Sequence, residues 1–202
     1  MQKQKMKKEI IKEHQENLKN YKDKNLNSPY SEQSETEEGS STEVEINISL
    51  LKVIADTLTS IISENTNTKN VVKEISPFNH DHAPPISLFD YLYRIQKYSG
   101  IEDSTLIIGL IYIDRICSKK KIKLTKYNIH RLLFTSIIIA IKYNEDIIYS
   151  NSFYSRIGGI SVTELIKLEN AFLKIIDFEL FVGNDLYQKY YDYLNYYTDA
   201  NE

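Results

Sequence analysis

The chain has 202 residues, of which 42% are hydrophobic and 26% charged, values typical of a globular protein rather than a disordered or membrane-embedded one. Six glycines and four prolines are too few for an all-β fold, which needs a turn every eight to twelve residues or so. The net charge of -3 gives no reason to expect nucleic-acid binding by the whole chain, and the single cysteine cannot form an internal disulfide.

The first 43 residues differ from the rest of the chain in their charge. Met1 to Lys24 is rich in lysine, whereas Leu26 to Glu43 carries five glutamates among its serines and no basic residue. Such segments bury too little apolar surface to offset the entropy of the chain. The sequence therefore predicts a disordered charged tail over residues 1–43, either simply solvated or regulatory.

The sequence contains no pattern of a signal peptide or a membrane span. The first ten residues lack the apolar run of a signal peptide. The most apolar runs, Thr105 to Ile113 and Leu132 to Ile141, have about half of the roughly 20 residues that cross a bilayer. We therefore expect an intracellular protein, in the nucleus or the cytoplasm, that does not enter a membrane.

From residue 44 onward the pattern is that of helix after helix. Apolar residues recur every three or four positions from Ile46 to Ile62, which predicts an amphipathic helix, and Ser76-Pro77 breaks the following segment. Five further helices are expected: Ser87 to about Tyr98, opened by a capping box at Ser87; Ser104 to about Cys117, after a cap at Asp103; Thr125, as the cap, to about Tyr143; Tyr149 to Ile157; and Ser161 to about Asp177, opened by a second capping box at Ser161. A last, tyrosine-rich helix should run from Leu186 to about Tyr197.

Two charged residues lie on faces that are otherwise apolar. Glu169 lies in the middle of the apolar stripe of the fifth of these helices, and Lys142 ends an apolar face of the third. Buried Glu and Lys side chains are rare unless they are paired. The sequence therefore predicts that Lys142 and Glu169 meet where the two helices cross, either as an internal salt bridge or at a partner surface.

Six short segments resemble the cyclin box, in its order and with nearly its spacing. They are Phe78 with Pro85-Ile86-Ser87, Asp90 to Ile95, Tyr112 to Arg115, Arg131-Leu132-Leu133 leading to Ala140 to Tyr143, Tyr154 to Ser161, and Leu168 to Leu173. The likeness covers about half the chain and is closest to the single-box cyclins of the P/U type, which include the fungal phosphate-pathway cyclins. The motif positions that we single out are Asp90, Asp114, Arg115, Gly158, Gly159 and Ser161.

The resemblance implies an all-α protein in four segments. A five-helix cyclin box would occupy residues 77–182, after the tail 1–43 and an N-terminal flanking helix and loop over 44–76. A C-terminal helix would occupy residues 183–202.

The resemblance also implies a regulatory subunit that binds and activates a cyclin-dependent protein kinase. In the family, a lysine ending the third box helix and a glutamate in the fifth contact the kinase beside its regulatory αC helix. The matching positions here are Lys142 and Glu169. Expected flanking contacts, with core packing as the alternative for several of them, are Tyr143, Phe153, Tyr154, Phe172 and Leu173.

The chain departs from the cell-cycle cyclins at their substrate-docking groove. Those proteins carry a Met-Arg-x-x-Leu motif and a nearby tryptophan, where this chain has Pro84 to Leu88 and Tyr91. Asp114 therefore lacks its usual arginine partner, which puts ordinary substrate docking in doubt.

No set of residues has the pattern of a catalytic or metal site. His80 and His82 lack an evident third ligand carrier, and Cys117 with His130 makes no convincing nucleophile and base. We expect no enzyme activity, cofactor, metal or small-molecule ligand. Two alternatives to a kinase regulator remain. One is a nucleic-acid-associated cyclin-fold protein that uses the lysine loop Lys119 to Lys126. The other is a scaffold that uses its C-terminal helix to bind a non-kinase partner or to self-associate.

Overall fold

The computed structural model describes residues 46–67, 76–120 and 122–200, with side chains as far as residue 198. The predicted tail over residues 1–43 lies outside the described residues. Within the described part the chain forms seven α-helices and no strand, so the all-α prediction is confirmed. The helices are α1 (Ile48–Asn67), α2 (Leu88–Ser99), α3 (Asp103–Lys120), α4 (Ile129–Asn144), α5 (Asn151–Gly158), α6 (Val162–Ile175) and α7 (Asn184–Ala200).

Helix α4 is the centre of the core. Every residue from Leu132 to Ile141 is buried, as a helix with apolar side chains on nearly all faces requires. Helix α3 packs along it, and α6 packs against it as well, while α1 packs on α2 and α7. Removing a large side chain from such a core costs about 2–5 kcal/mol of unfolding free energy.

Local signals in the sequence set several of the helix ends. The Ser87 hydroxyl accepts a hydrogen bond from the Asp90 amide at 3.0 Å and donates one to the Asp90 carboxylate at 2.6 Å. The Ser161 hydroxyl accepts from the Glu164 amide at 3.1 Å in the same way at the start of α6. Both capping predictions are confirmed.

Two glycines at the end of α5 have different reasons to be glycine. Gly159 ends the helix with a φ of 70°, a left-handed conformation that is costly for other residues. Gly158 has a helical conformation but lies against Phe134, and a Cβ there would come within 2.4 Å of the ring. A larger residue at either position would disturb the junction between α5 and α6.

Two predicted helix caps are wrong. Asp103 is the first residue of α3, and its carboxylate accepts hydrogen bonds from the side chains of Gln96 and Asn47, at 2.9 and 3.0 Å. The Thr125 hydroxyl accepts a hydrogen bond from the Tyr127 amide at 3.3 Å, but this bond belongs to a turn, and α4 starts only at Ile129. The Asn128 side chain accepts from the Thr125 amide and does not cap the helix. No helix within residues 46–67, 76–120 and 122–200 is long and apolar enough to cross a membrane.

Candidate functional site

Lys142 and Glu169 form an ion pair where α4 meets α6. The Lys142 Nζ lies 2.6 Å from Glu169 Oε1. The carboxylate is mostly buried, with 11% of its side chain exposed, whereas 28% of the lysine side chain is exposed. The predicted contact is present, and the pair lies at the edge of the core, with the lysine the more exposed of its two members.

The helix geometry places both members of the pair. Lys142 lies in the last turn of α4, where a cation is favoured by the helix dipole, and it follows the buried residue Ile138 by one turn. Glu169 lies between Leu165 and Leu173 on α6, each one turn away. The α6 face that packs on α4 therefore carries the carboxylate to the crossing point.

A third residue, Asn151, completes the site. Its side-chain oxygen accepts a second hydrogen bond from Lys142 Nζ, also at 2.6 Å. Asn151 is the first residue of α5, directly after Ser150, whose hydroxyl caps that helix by accepting from the Phe153 amide at 3.3 Å. The sequence analysis missed Asn151, since an asparagine at a helix start is most often explained by capping.

The five predicted flanking residues divide into two groups. Tyr143 is exposed next to Lys142, and Phe153 and Leu173 are half-buried, so these three reach the surface. Tyr154 and Phe172 are almost completely buried, at 1% and 0% exposed. The structure therefore favours core packing for Tyr154 and Phe172, and leaves Tyr143, Phe153 and Leu173 available to a partner.

Exposed apolar residues that were not predicted lie close to the pair along the chain. Ile147, Ile148 and Tyr149 follow α4, and Ile166 lies on α6 three residues before Glu169; all four are exposed. The sequence signal was present, because Ile147 and Ile148 stand in a short loop between two helices. Isolated apolar residues are common on surfaces, but a group beside a charged pair is typical of an interface.

The turn after α6 carries two further exposed aromatic residues, Phe178 and Phe181. Asp177 and Phe178 have φ values of 55° and 56°, in the left-handed region that residues other than glycine rarely adopt. The turn is adjacent to Leu173, whose carbonyl accepts a hydrogen bond from the Phe178 amide at 2.9 Å. The apolar surface along α6 thus continues into this turn.

Side chains of α3 hold this turn in place. Arg115 donates to the carbonyls of Glu179 and Phe181 at 2.6 and 2.8 Å. Lys119 makes ion pairs with Asp177 and Glu179 at 3.1 and 3.0 Å. Arg115, singled out from its motif, is therefore a structural residue, and Lys119 of the lysine loop is paired within the chain, which weakens the nucleic-acid alternative.

Asp114 faces a different neighbour from the one that the cell-cycle cyclins provide. It lines a cavity of about 450 Å³ between α1, α3 and α7, together with Cys117 and Tyr190. Burial, and then the Asp114 carboxylate, raise the pKa of Tyr190 to about 12. Tyr190 of the C-terminal helix is thus a neighbour of Asp114.

The other candidates for chemistry are structural as far as they are described. Burial raises the pKa of the Cys117 thiol to about 12, so the thiolate needed for nucleophilic attack is not formed at neutral pH. His130 Nε2 lies 2.9 Å from the Ile86 carbonyl, and burial lowers its pKa. In the part of the chain that the structure describes, no three His, Cys, Asp or Glu side chains are grouped to hold a metal ion.

Comparison with protein families identifies relatives over most of the chain. The family model described as Cyclin matches residues 7–180. Cyclin-U1-1 of Arabidopsis thaliana is 33% identical over 158 residues, which cover 76% of this chain and 75% of that protein. The similarity therefore extends well beyond the short segments quoted from the sequence.

Two other relatives come from different lineages. Cyclin-P3-1 of Oryza sativa subsp. japonica is 36% identical over 63% of this chain and 55% of its own length. PHO85 cyclin-7 of Saccharomyces cerevisiae is 35% identical over 70% of this chain and 58% of its own length. The chain thus spans little more than half the length of these two proteins.

Proposed function

This chain belongs to the cyclin family, where its relatives are of the P/U type, and from that membership we propose that it is a regulatory subunit of a cyclin-dependent protein kinase. It has no catalytic site of its own in this proposal and acts by binding the kinase. The name of the yeast relative pairs a cyclin with PHO85, and a protein of that class is the partner that we propose here.

The observation that supports this proposal is the position of the Lys142–Glu169 pair. Within the described residues, two of the three ammonium donors of Lys142 are used, on Glu169 and Asn151. The remaining donor is available to a backbone carbonyl or carboxylate of a partner, and a charge-assisted bond of this kind is strong. The carboxylate behind it holds the ammonium group in place.

The apolar residues around the pair supply the rest of the binding energy. Tyr143, Ile147 and Ile148 lie on one side of Lys142 along the chain, and Ile166 and Leu173 flank Glu169 on α6. An interface of this kind has a polar contact of fixed geometry inside an apolar surround that excludes water. The proposed kinase surface must therefore be largely apolar, with a hydrogen-bond acceptor at its centre.

Activation would follow from where the protein binds. A protein kinase is active when a glutamate of its αC helix pairs with a lysine of its third strand, and the placement of αC controls this. A subunit that contacts αC in its active position stabilises that state. It shifts the kinase only to the extent that it binds the active state more tightly than the inactive one.

The proposal is tested by purifying the full chain, tagged, from the cells that make it. Three versions are compared: the unaltered chain, Lys142→Met, and Lys120→Met as a matched lysine change on the exposed end of α3. A protein kinase and phosphoryl transfer from ATP should accompany the unaltered chain and Lys120→Met, and should be lost with Lys142→Met. If the unaltered chain purifies without a kinase, the proposal is contradicted.

A further inference from the structure

A cavity of about 450 Å³ lies between α1, α3 and α7, and none of its lining residues belongs to α4, α5 or α6. It is therefore separate from the proposed kinase-binding surface. Its volume falls within the roughly 300–1,000 Å³ of sites that bind small molecules. The sequence analysis expected no such ligand, because no local pattern reveals a cavity that three separate helices enclose.

Three turns of α1 form a long wall of the cavity. Ile54, Leu58 and Ile61 follow one another at intervals of four and three residues, so they lie on one face of the helix. From Ile54 to Asn65 the wall extends over about 16 Å at the helical rise per residue. At its far end the Asn65 side chain donates a hydrogen bond to the Leu124 carbonyl at 3.1 Å, which ties α1 to the loop after α3. The cavity is therefore elongated, and it suits a chain-like ligand.

The inner part of the cavity is apolar, and its rim reaches the solvent. Among the wall residues that are no more than 4% exposed are Ile54, Leu58, Ile113 and Leu194. Ile61 and Tyr193 also line the cavity, and they are 38% and 50% exposed. An apolar chain that enters past this rim loses its contact with water, which is the main favourable contribution to its binding.

The cavity has few polar groups, and their charges differ. Asp114 is exposed, and the Tyr190 hydroxyl of α7 donates a hydrogen bond to its carboxylate. Burial, and then this carboxylate, raise the pKa of Tyr190 to about 12, so the hydroxyl stays protonated at neutral pH. A carboxylate accepts up to about four hydrogen bonds, so Asp114 retains capacity for a donor of a ligand. Lys123 lines the cavity from the loop after α3, and its charge repels a cation from that end.

We propose that this cavity binds an elongated amine, with its apolar chain between α1, α3 and α7 and its ammonium group bonded to the Asp114 carboxylate. The charge of Asp114 is the reason for a cationic head, because a charge-assisted hydrogen bond is about twice as strong as a neutral one. The length and the apolar walls of the cavity are the reason for an unbranched aliphatic chain. The inference does not depend on the proposed function, since no kinase takes part in it.

The first test compares two probes that have the same chain and different head groups, n-octylamine and n-octanol. Their binding to the full chain is measured by isothermal titration, below the concentrations at which either probe aggregates. Both should bind at one site, the amine about tenfold more tightly because its ammonium group pairs with Asp114. In Asp114→Asn the amine should bind no more tightly than octanol, whose own affinity stays the same.

The matched control is Asp81→Asn, which removes an exposed carboxylate that does not line the cavity. This variant should keep the preference for the amine, because both variants change the net charge of the chain equally. An equal loss of preference in Asp81→Asn and Asp114→Asn would show that the charge of the whole chain, and not Asp114, selects the amine.

The second test locates the probes. In Cys117→Phe the larger ring enters the cavity and should abolish the binding of both probes, in a variant that urea unfolding shows to be folded. Because overpacking a cavity wall can prevent folding, the site is also read in the unaltered chain from the NMR signals of methyl groups. On addition of octanol the signals of Ile54 and Leu194 should shift, while those of the exposed Ile147 stay in place.

Three results would overturn the inference. They are the absence of binding of either probe at millimolar concentration, equal affinity of the two probes for the unaltered chain, and methyl shifts at Ile147 without shifts at Ile54 and Leu194. Since none of the measurements uses a kinase, each of these results leaves the proposed function standing.

Discussion

Helices α4 and α6 are joined by two ion pairs that differ in what surrounds them. Arg131 pairs with Glu164 near the start of each helix, and Arg131 also donates to the Asn79 carbonyl at 2.7 Å. Lys142 pairs with Glu169 further along and also bonds to Asn151. The first pair fastens the segment before α2 to the bundle, whereas the second ends at the surface among exposed apolar residues.

The difference shows why a buried charge alone does not identify a functional site. Both pairs join the same helices, and both carboxylates are partly protected from water. A salt bridge inside a protein contributes little net stability, because desolvation offsets most of its attraction. Within the described residues, Lys142 is distinguished by an ammonium donor that its two bonds leave over and by exposed apolar residues close to it along the chain, and only the folded structure shows these.

The largest expected effect is on kinase affinity when Glu169 is changed. Glu169→Leu leaves the Lys142 ammonium without its orienting carboxylate, and loss of one member of such a pair costs about 2–5 kcal/mol in binding, or at least about 30-fold in Kd. The unfolding free energy should change much less, because Lys142 can turn to solvent. Isothermal titration with the copurified kinase, together with urea unfolding, measures both.

Breaking the other ion pair, Arg131–Glu164, should lower the stability of the protein and leave its kinase affinity unchanged. Arg131→Met removes the bonds to Glu164 and to the Asn79 carbonyl, so the unfolding free energy should fall by about 1.5–3 kcal/mol. The kinase affinity of the folded protein should remain that of the unaltered chain. Equal losses of affinity in Arg131→Met and Glu169→Leu would remove the distinction between the pairs.

A smaller effect on stability is expected when the N-cap of α6, the helix that carries Glu164 and Glu169, is removed. Ser161→Ala leaves the Glu164 amide without its acceptor, and the loss of an N-cap lowers stability by about 1 kcal/mol. Kinase affinity should not change, since Glu169 lies beyond the first turn of α6. Ser161→Asn, which restores a capping side chain, should recover most of the lost stability in urea unfolding.

The smallest expected effect is on the pH dependence of stability, through His130, which precedes Arg131 in α4. Burial lowers the pKa of His130 in the folded protein, so the unfolded chain binds more protons once the pH falls to the usual histidine range near 6.5. The contribution of His130 to stability is therefore complete above that range and decreases as the pH falls toward the lowered pKa. In unfolding measured between pH 7.5 and 5.5, His130→Gln should flatten this dependence, and an unchanged slope would contradict it.

Much of the fold could be predicted because its signals are local. The hydroxyls of Ser87 and Ser161, the glycines at 100 and 159, and the apolar run of α4 each act within one turn of the chain. Asp103 was assigned wrongly as a cap because its hydrogen-bond partners come from elsewhere in the chain. The Asp103 carboxylate accepts hydrogen bonds from the side chains of Gln96 and Asn47, and no local sequence pattern reveals these bonds.

The candidate site could be predicted only in part, for the same reason. Periodicity placed Lys142 and Glu169 on facing stripes, and the structure brings them together. It could not separate Phe172, which packs on Phe78 in the core, from Leu173, which reaches the surface one residue later. Neither could it find Asn151, whose bond to Lys142 is set by where α5 begins. The loop at Ile147 was open to prediction, but how far its side chains are exposed depends on how α5 folds back.

The central claim is that Lys142 and Glu169 face a kinase rather than only each other. A chain with the charges exchanged, Lys142→Glu with Glu169→Lys, tests it most directly, because the exchange keeps an internal ion pair while reversing what a partner meets. We predict near-normal stability in urea unfolding and loss of kinase binding of at least about 30-fold, no better than Glu169→Leu alone. Kinase binding by the exchanged chain at the affinity of the unaltered one would show that the pair serves only the fold.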